Sequence, residues 1–426
     1  MKKAVAKKSR IGVMILSAVV SLHLAVIHDP GHAHAADAAP DLKLEVSSAI
    51  LMDAATGQVL YENNADVALP PASMAKMMTE YLVLEDIKSG KLKWEDTVTT
   101  SQHAADTIGS GQLLAVNETL TVRSMFEAMS IYSGNDASVA LAEKVAGSEE
   151  QFAVLMNDTA RKLGLSKDAN FINSTGLSRI DMGKYAPKNL QGETVMSARD
   201  AATLAYHILN EHKEVLEFTK VPSKKLRETD KSPMINWNWM LEGNQSNPNF
   251  RPYVFQGLDG LKTGHTNEAG YCFTGTAERN GMRLISVVMG AKTEPKRFLE
   301  TAKLLNYGFN TYEMKEIVKA DTEVDALKSV EVKKAIHTDV PVVTQSALSI
   351  LVKKGVKDEE IVRVGEPAAE DVRVAPVEKG EVLGKLTVTY NNQTYDVNLV
   401  AKEDVKKAGW FKLMLRSIRH FFTNLF

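Results

Sequence analysis

The chain has 426 residues, of which 44% are hydrophobic and 24% are charged, and its formal net charge at pH 7 is −2. This composition predicts one large globular domain with a smaller one, and it excludes a disordered chain. No basic stretch is interleaved with aromatic residues in the part expected to fold, so no nucleic-acid partner is expected.

The N-terminal residues 1–35 have the pattern of a signal peptide. Basic residues open the chain, an apolar run covers 11–27, and small residues surround Ala33-His34-Ala35. This order predicts cleavage after Ala35 or Ala36 and a mature protein that is exported across the cytoplasmic membrane. A retained membrane anchor is the alternative, but the apolar run is short and contains His23.

Residues 36–312 are predicted to form an α+β domain. A hairpin is expected over 48–63 and a second one over 271–291, and the two share one antiparallel sheet. Between and after them, helical periodicity with start and stop signals predicts helices at 72–88, 121–130, 136–146, 149–163, 197–209 and 296–307. The expected architecture is therefore a helical cluster packed on an antiparallel sheet.

Residues 313–403 are predicted to form a small all-β domain. Short β-branched runs occur at 330–335, 340–344, 348–352, 372–377, 386–390 and 395–400. The segment contains no acid/base cluster that suggests catalysis. We expect a spacer or a protein-binding module.

The last segment, 404–426, has the periodicity of an amphipathic helix. Its apolar stripe consists of Trp410, Leu413, Met414, Ile418, Phe421, Phe422 and Leu425. Its polar side consists of Lys406, Lys407, Lys412, Arg416, Arg419 and His420. A core helix is one interpretation, but the terminal position and basic face favour a helix that lies in a membrane surface.

Three short motifs follow one another along the first domain: Ser73-Met74-Ala75-Lys76, Ser133-Gly134-Asn135 and Lys262-Thr263-Gly264. Ser73 is the only serine that is followed by lysine three residues later. The first motif opens a predicted helix, the second lies in a break between two helices, and the third lies in a strand-like hairpin. For these three motifs in this order, a coincidence of surface lysines and turn residues is a poor explanation.

The residue types in these motifs suit nucleophilic catalysis. A serine at a helix start lies beside free backbone N–H groups, and a lysine three residues later lies on the same face. A desolvated, neutral Lys76 can take the proton of the Ser73 hydroxyl. Lys262 adds positive charge for a substrate carboxylate, Thr263 adds a hydroxyl, and Gly264 is expected to leave room for substrate along the sheet edge.

With their flanking residues, the motifs resemble those of the low-molecular-mass penicillin-binding proteins, the D-alanyl-D-alanine carboxypeptidases of the penicillin-binding protein 5 type. The flanks are Leu69-Pro70-Pro71-Ala72, Asp259-Gly260-Leu261 and His265-Thr266. The resemblance covers essentially the whole chain. It implies a penicillin-binding/β-lactamase-like fold and removal of the terminal D-alanine from peptidoglycan stem peptides that end in D-Ala-D-Ala, without cofactor or metal.

The resemblance also implies residue roles. Ser73 would form the acyl-enzyme, with β-lactams acylating it as substrate mimics, while Lys76 and Ser133 would shuttle protons. The backbone N–H groups of Ser73 and His265 would form the oxyanion hole. The substrate would be held by Asn135, Lys262, Thr263, Gly264, His265 and Arg297. The protein would work at the outer face of the cytoplasmic membrane, anchored peripherally by its C-terminal helix.

Three other functions compete with this interpretation. A serine β-lactamase shares the motifs, but it has no need of the β-rich domain or the basic tail. No deacylating glutamate is identified between Ser133 and Lys262, although Glu193 and Glu211 are available. A non-catalytic scaffold for cell-wall peptides would require the loss of a motif residue. A metalloenzyme is disfavoured because the histidines show no ligand spacing, and His207 and His212 are expected on a helix surface. The single cysteine, Cys272, is expected to be a buried thiol.

Overall fold

The computed structural model describes residues 40–423, with side chains to residue 419, so the predicted signal peptide lies outside it. The helices in chain order are α1 Lys76–Lys88, α2 Gln102–Asp106, α3 Val122–Tyr132, α4 Asn135–Ala146, α5 Glu149–Lys162, α6 Arg179–Met182, α7 Ala198–Glu211, α8 Leu216–Thr219, α9 Glu294–Thr311 and α10 Trp410–Thr423. The strands are β1 Ser48–Asp53, β2 Val59–Asn63, β3 Thr97–Thr99, β4 Thr119–Thr121, β5 Ser223–Lys224, β6 Met234–Ile235, β7 Leu258–Thr266, β8 Gly270–Arg279, β9 Met282–Ala291, β10 Tyr312–Val318, β11 Ser329–Glu331, β12 Asp339–Thr344, β13 Leu348–Lys353, β14 Val362–Pro367, β15 Val382–Tyr390 and β16 Gln393–Ala401.

The first domain is built on a five-stranded antiparallel sheet in the order β2-β1-β9-β8-β7. Both predicted hairpins are confirmed, and β1 pairs with β9, so the two hairpins share one sheet as expected. The turn between β8 and β9 uses Asn280 and Gly281 at φ 51° and 77°, the left-handed conformation that tight hairpins prefer. Strand β7 lies at one edge of this sheet.

The sheet is covered on both faces because its strands are apolar on both sides. In β1, Ile50 and Met52 belong to the core that the helical layer forms, whereas Ala49 and Leu51 belong to the core that includes α9. Helix α7 packs on β9 and β1 from one side, and α9 packs on β9 and β8 from the other. The predicted α+β class is therefore confirmed, with α9 as a third layer.

Helix α1 is the centre of the helical layer and contacts α3, α4, α5 and α7. Its residues from Lys76 to Leu84 are all buried, including the polar side chains of Lys76, Thr79 and Glu80. A helix that is buried all round has no solvent face on which to place charge. The two charged side chains in this stretch must therefore be compensated by other groups in the interior.

The predicted all-β domain is confirmed. It contains a five-stranded sheet in the order β11-β12-β16-β15-β14 and the pair β10-β13. The strand predicted at 372–377 is wrong, because Val374 and Val377 make only single bridges and Pro376 has no N–H to donate. Strands β10 and β14 were not predicted from the sequence.

Helix α10 follows this domain and exposes its apolar side chains. Trp410 is 75% exposed, and Phe411, Met414, Leu415 and Ile418 are also exposed, so the helix is not part of a core. Arg416 was predicted on the polar face, but it donates to the backbone oxygens of Ala335 at 2.6 Å and Ile336 at 2.8 Å, tying the helix to the β domain. No helix in the described part of the chain combines the length and apolarity needed to cross a membrane.

Candidate active site

Ser73 lies in a single 3₁₀ turn, Ala72–Ala75, that runs directly into α1. The α-helix thus begins at Lys76, four residues later than predicted, and Ser73 precedes it. Ser73 is partly exposed, whereas Ala72 and Met74 on either side are buried. The turn therefore presents one hydroxyl to the surface and anchors its neighbours in the core.

The amine of Lys76 is fully buried and has three oxygen neighbours. Its Nζ lies 2.9 Å from Ser73 Oγ, and it donates to Asn135 Oδ1 at 2.6 Å and to the backbone oxygen of Thr175 at 2.8 Å. A neutral amine has two N–H groups and one lone pair. The two acceptors use both N–H groups, which leaves the lone pair facing the Ser73 hydroxyl.

Electrostatics favour this neutral form. Burial lowers the pKa of Lys76 well below its ordinary value, and the nearby charge of Lys262 lowers it further, against the opposing effect of Glu149, Glu80 and Asp136. A lysine in this state can act as a base toward the hydroxyl that it contacts.

A tight turn after residue 172 supplies the Thr175 oxygen. Asn173 Oδ1 accepts hydrogen bonds from Thr175 N at 3.1 Å and from Gly176 N at 2.7 Å. The buried carboxylate of Glu149 accepts from Ser174 Oγ at 2.7 Å and from Ser174 N at 3.0 Å. These bonds hold the turn against Lys76. Sequence reasoning missed it, because a backbone acceptor leaves no residue-type signal.

The second motif fills the break between α3 and α4, as predicted. Ser133 adopts the left-handed conformation at φ 65°, and Asn135 is the first residue of α4. The Asn135 amide is fixed by donation from Nδ2 to the backbone oxygen of Ile108 at 2.7 Å. Within the described part of the chain, the buried Oγ of Ser133 has no hydrogen-bond partner, so it is available to a bound substrate.

The third motif lies on the edge strand β7. Lys262 and Thr263 are buried, and burial lowers the pKa of Lys262 to about 8 despite the opposing carboxylate of Glu80. Gly264 does not leave room for substrate in the way the sequence suggested. A Cβ there would lie 2.4 Å from the oxygen of Pro71, so the Ser73 turn occupies this space.

His265 and Arg297 lie at the end of this motif. His265 is exposed, and its ring stacks on Tyr271 with centroids 4.0 Å apart. Arg297, on α9, is 2% exposed and donates to the backbone oxygen of Gly264 at 3.3 Å and to Glu294 Oε1 at 2.8 Å. Arg297 is therefore brought to the Lys-Thr-Gly strand from the opposite face of the sheet.

A buried carboxylate that was not predicted lies behind these residues. Glu80 follows Lys76 by one turn of α1 and is fully buried. Its Oε1 accepts a hydrogen bond from Ser130 Oγ at 2.8 Å, and Ser130 lies one turn before Ser133. Its spacing of four from Lys76 was a usable signal, since residues at this spacing share a helix face.

The other groups singled out from the sequence lie elsewhere. Glu193 is exposed and accepts a hydrogen bond from Arg179 N at 2.8 Å. Glu211 accepts a hydrogen bond from Tyr81 and pairs with His207, so neither candidate carboxylate contacts the motifs.

The expectation that His212 lies on a helix surface is wrong. It is fully buried at the end of α7, because its ring packs edge-on against Tyr81 and its Nε2 lies 2.8 Å from Glu85.

Among the described residues, one group of side chains has the composition of a metal site. Its possible ligand atoms lie within 4.8 Å of one another and belong to Glu85, Glu211 and His212. Glu85 lies nine residues along α1 from Lys76. Glu85 is hydrogen-bonded to His212, and Glu211 is hydrogen-bonded to Tyr81 and His207. These bonds explain the cluster as an ion-pair network. Cys272 is fully buried, as expected, and pairs with Gly264 across β7 and β8.

Known proteins share both domains. A family model described as D-alanyl-D-alanine carboxypeptidase matches residues 33–293, and one described as the C-terminal domain of penicillin-binding protein 5 matches 312–407. The D-alanyl-D-alanine carboxypeptidase DacF of Bacillus subtilis (strain 168) is 38% identical over 381 residues, which are 89% of this chain and 90% of DacF.

Solved structures give the same result. The structure of a peptidoglycan synthesis regulatory factor (PBP3) from Streptococcus pneumoniae superposes with a TM-score of 0.74 at 28% identity, over 85% of this chain and all of that one. The ampicillin-bound form of penicillin-binding protein D2 from Listeria monocytogenes is 35% identical, with a TM-score of 0.53, over 63% of this chain and all of that one.

Gly176 tests the packing that supports the Ser73 turn. A Cβ on Gly176 (φ 83°) would lie 1.9 Å from the oxygen of Ala72, whereas Gly164 (φ 77°) has nothing within 4 Å of that position. We expect G164A to lower the free energy of unfolding by about 1–2 kcal/mol, the cost of the left-handed conformation alone. G176A should lower the free energy of unfolding by at least about 1 kcal/mol more than G164A does, because the backbone of Ala72 must also move.

Denaturant unfolding of the two variants measures this difference. Benzylpenicillin acylation should also slow in G176A and not in G164A, because only Gly176 touches the Ser73 turn. Equal unfolding free energies for the two variants would contradict the packing described here.

Proposed function

Since the chain belongs to the D-alanyl-D-alanine carboxypeptidase family, we propose that it removes the terminal D-alanine from peptidoglycan stem peptides with Ser73 as its nucleophile. The enzyme is a serine-type hydrolase, and the observation that carries the residue assignment is the environment of Lys76. Its Nζ donates to Asn135 Oδ1 at 2.6 Å and to the backbone oxygen of Thr175 at 2.8 Å, and it lies 2.9 Å from Ser73 Oγ.

Acylation begins when Lys76 Nζ takes the proton of the Ser73 hydroxyl. Ser73 Oγ then bonds to the carbonyl carbon of the penultimate D-alanine, and the carbonyl oxygen becomes an oxyanion that the backbone N–H groups of Ser73 and His265 stabilise. The C–N bond to the last residue breaks. Its nitrogen receives the proton from Lys76 through the Ser133 hydroxyl, and D-alanine leaves.

Deacylation repeats these steps with water. Lys76 is neutral again after it has passed on its proton, so it can take a proton from a water molecule as the water attacks the ester carbon. The bond between Ser73 Oγ and that carbon breaks, and Ser73 regains its proton from Lys76. The products are the shortened peptide and free enzyme.

The substrate is held along β7. This strand is the edge of its sheet, so an extended stem peptide can add to it, and Asn135 and Thr263 supply further polar contacts. Lys262 and Arg297 supply positive charge for the terminal carboxylate. β-Lactams carry an equivalent carboxylate and a strained amide, so we propose that they acylate Ser73 and, because they leave slowly, inhibit the enzyme.

The direct test is D-alanine release from a peptide ending in Lys-D-Ala-D-Ala by the purified mature protein and by S73A. The proposal expects release by the wild type and a loss of at least about 1,000-fold in S73A, since the nucleophile itself is removed. Undiminished release by S73A would show that another group is the nucleophile.

The same assay separates the alternatives. Rapid turnover of a chromogenic β-lactam without D-alanine release would favour a serine β-lactamase. No release and no penicillin labelling of Ser73 would favour a non-catalytic scaffold. Normal penicillin acylation of a folded K76A variant would remove Lys76 from its role as the base.

The proposed role of Lys262 has a pH signature. Burial lowers the pKa of Lys262 to about 8, so the ammonium is charged below this pH and becomes neutral as the pH rises through it. The KM for a peptide with a free terminal carboxylate should therefore rise above about pH 8, toward tenfold per pH unit. Steady-state kinetics between pH 6 and 10 measure this, and a flat KM would contradict the role.

We also propose the domain layout expected from the sequence: a signal peptide over 1–35, a peptidase domain over 36–312, and a β-rich domain over 313–403 as a spacer or protein-binding module. Within the last segment, 404–426, helix α10 from Trp410 onward is the proposed membrane anchor, and the residues before it pair with the β domain. The exposed apolar residues of α10 support the last assignment. They would enter the outer face of the cytoplasmic membrane, while Arg416 holds the helix to the β domain.

Deletion of 410–426 should abolish binding to vesicles that contain anionic lipid and leave D-alanine release from a soluble peptide unchanged. The deletion begins at Trp410 because the residues before it belong to the β domain: Lys406 O accepts from Ile336 N at 2.9 Å, and Ala408 N donates to Lys334 O at 2.7 Å. The point variant I418E should weaken vesicle binding with the helix still present.

Co-sedimentation with vesicles measures both variants. Continued sedimentation of the truncated protein would assign membrane binding to another part of the chain.

A further inference from the structure

The buried carboxylate of Glu80 has no part in the proposed reaction, and its burial lowers the stability of the folded state. It is fully buried on α1, its Oε1 accepts from Ser130 Oγ at 2.8 Å, and within the described part of the chain its Oε2 has no hydrogen-bond partner. A buried carboxylate with a hydrogen-bond partner at only one of its two oxygens destabilises the folded state unless other charges compensate it. Glu80 therefore requires an electrostatic explanation.

The groups that can compensate this carboxylate are the amines of the two active-site lysines. Burial raises the pKa of Glu80 to about 7, so its carboxyl group is ionised above this pH. Lys262 lies buried on β7, which packs against α1, and its charge lowers the pKa of Glu80 more than that of Lys76 does. Conversely, Glu80 is the largest charge that raises the pKa of Lys262. For Lys76 the largest charge effect is the cation of Lys262, and Glu149 outweighs Glu80 among the carboxylates. Glu80 is thus the carboxylate that favours the charged form of Lys262, whereas Glu149 has the larger effect of this kind on Lys76.

The two lysines need opposite protonation states if the proposed function is right. Lys76 must be neutral to take the Ser73 proton, whereas Lys262 must be charged to bind a carboxylate. Two buried amines in one pocket compete for positive charge, because each cation disfavours the other. A third charged group nearby is needed to determine which of the two amines is protonated.

We propose that Glu80 is this group: a positioning residue whose buried carboxylate, held by Ser130, keeps the positive charge on Lys262 and thereby leaves Lys76 as the neutral base. The inference rests on the proposed function. The hydrogen bond also links α1, which carries Lys76, to α3, which ends at Ser133.

Other charged groups face this cluster from neighbouring elements, and none duplicates Glu80. Arg297, from α9, lowers the pKa of Lys262, so it opposes the charge that Glu80 supports. Asp136 of α4 and Glu149 of α5 act on Lys76. Asp136 Oδ2 accepts from Gln112 N at 2.7 Å, and Glu149 accepts from Ser174, so both carboxylates are held by other partners.

The test compares E80Q, E80D and S130A by the pH dependence of KM and kcat for a Lys-D-Ala-D-Ala peptide. Glutamine keeps the shape and the acceptor for Ser130 but removes the charge. Lys262 then loses its counter-charge and becomes neutral at lower pH. The rise of KM in E80Q should therefore begin about one pH unit lower than in the wild type, giving up to about tenfold higher KM at pH 8.5.

The two control variants separate charge from hydrogen bonding. E80D keeps the carboxylate and should restore most of the wild-type profile, while S130A keeps the charge and should leave the onset of the KM rise within a few tenths of a pH unit. Thermal unfolding of each variant verifies the fold. A KM profile of E80Q that overlays the wild type, or one that S130A reproduces, would overturn the inference.

Failure of this inference is distinguishable from failure of the proposed function. If S73A loses D-alanine release and E80Q titrates like the wild type, Ser73 remains the nucleophile and Glu80 is structural. If S73A retains release, the proposed function itself is wrong.

Discussion

The burial of one amine determines most of the structure around the site. Lys76 sits on a helix that is enclosed by four others, and its Nζ reaches three oxygen atoms within 2.9 Å. An ammonium at this position would have three donors but would lose its hydration, whereas a neutral amine satisfies two acceptors and retains a lone pair. In the proposed mechanism, that lone pair takes the proton of the Ser73 hydroxyl.

Several separate segments of the fold position the oxygen atoms that surround Lys76 Nζ. The left-handed Ser133 at the end of α3 lets α4 begin at Asn135, whose side chain binds the lysine. The turn stabilised by Asn173 presents the oxygen of Thr175, and Gly176 within it allows the backbone to approach Ala72. On the other side, Gly264 permits β7 to lie against Pro71. Close backbone contacts on both sides thus hold the Ser73 turn in register with Lys76.

Much of this arrangement could be predicted from the sequence, because it is encoded in local patterns. The two hairpins, the helices around the motifs and the break at Ser133 follow from periodicity and turn residues, and all of them are present. The order of the three motifs was sufficient to identify the family. The β-rich domain was predicted less well, since the strand expected at 372–377 lacks the pairing that a strand requires.

The remainder depends on contacts between distant residues. Thr175 contributes a backbone oxygen, which no residue type reveals, and the close approach of Gly264 to Pro71 joins positions far apart in the chain. The spacing of four between Lys76 and Glu80 places both on one helix face, but the sequence does not show that this face is completely buried. The space at Gly264 was assigned to substrate for the same reason: sequence shows that a side chain is missing but not what fills its place.

The proposed mechanism requires that Lys76 is a neutral amine while Lys262 is charged. The most direct test is an NMR titration of protein labelled with ¹³C at the lysine ε-carbons, in which K76A and K262A identify the two buried signals. We predict that the Lys76 signal has the shift of a neutral amine at a pH at which the surface lysines are still charged, and that the Lys262 signal titrates near pH 8. A Lys76 signal that remains that of an ammonium and titrates together with the surface lysines would show that Lys76 is not a neutral base.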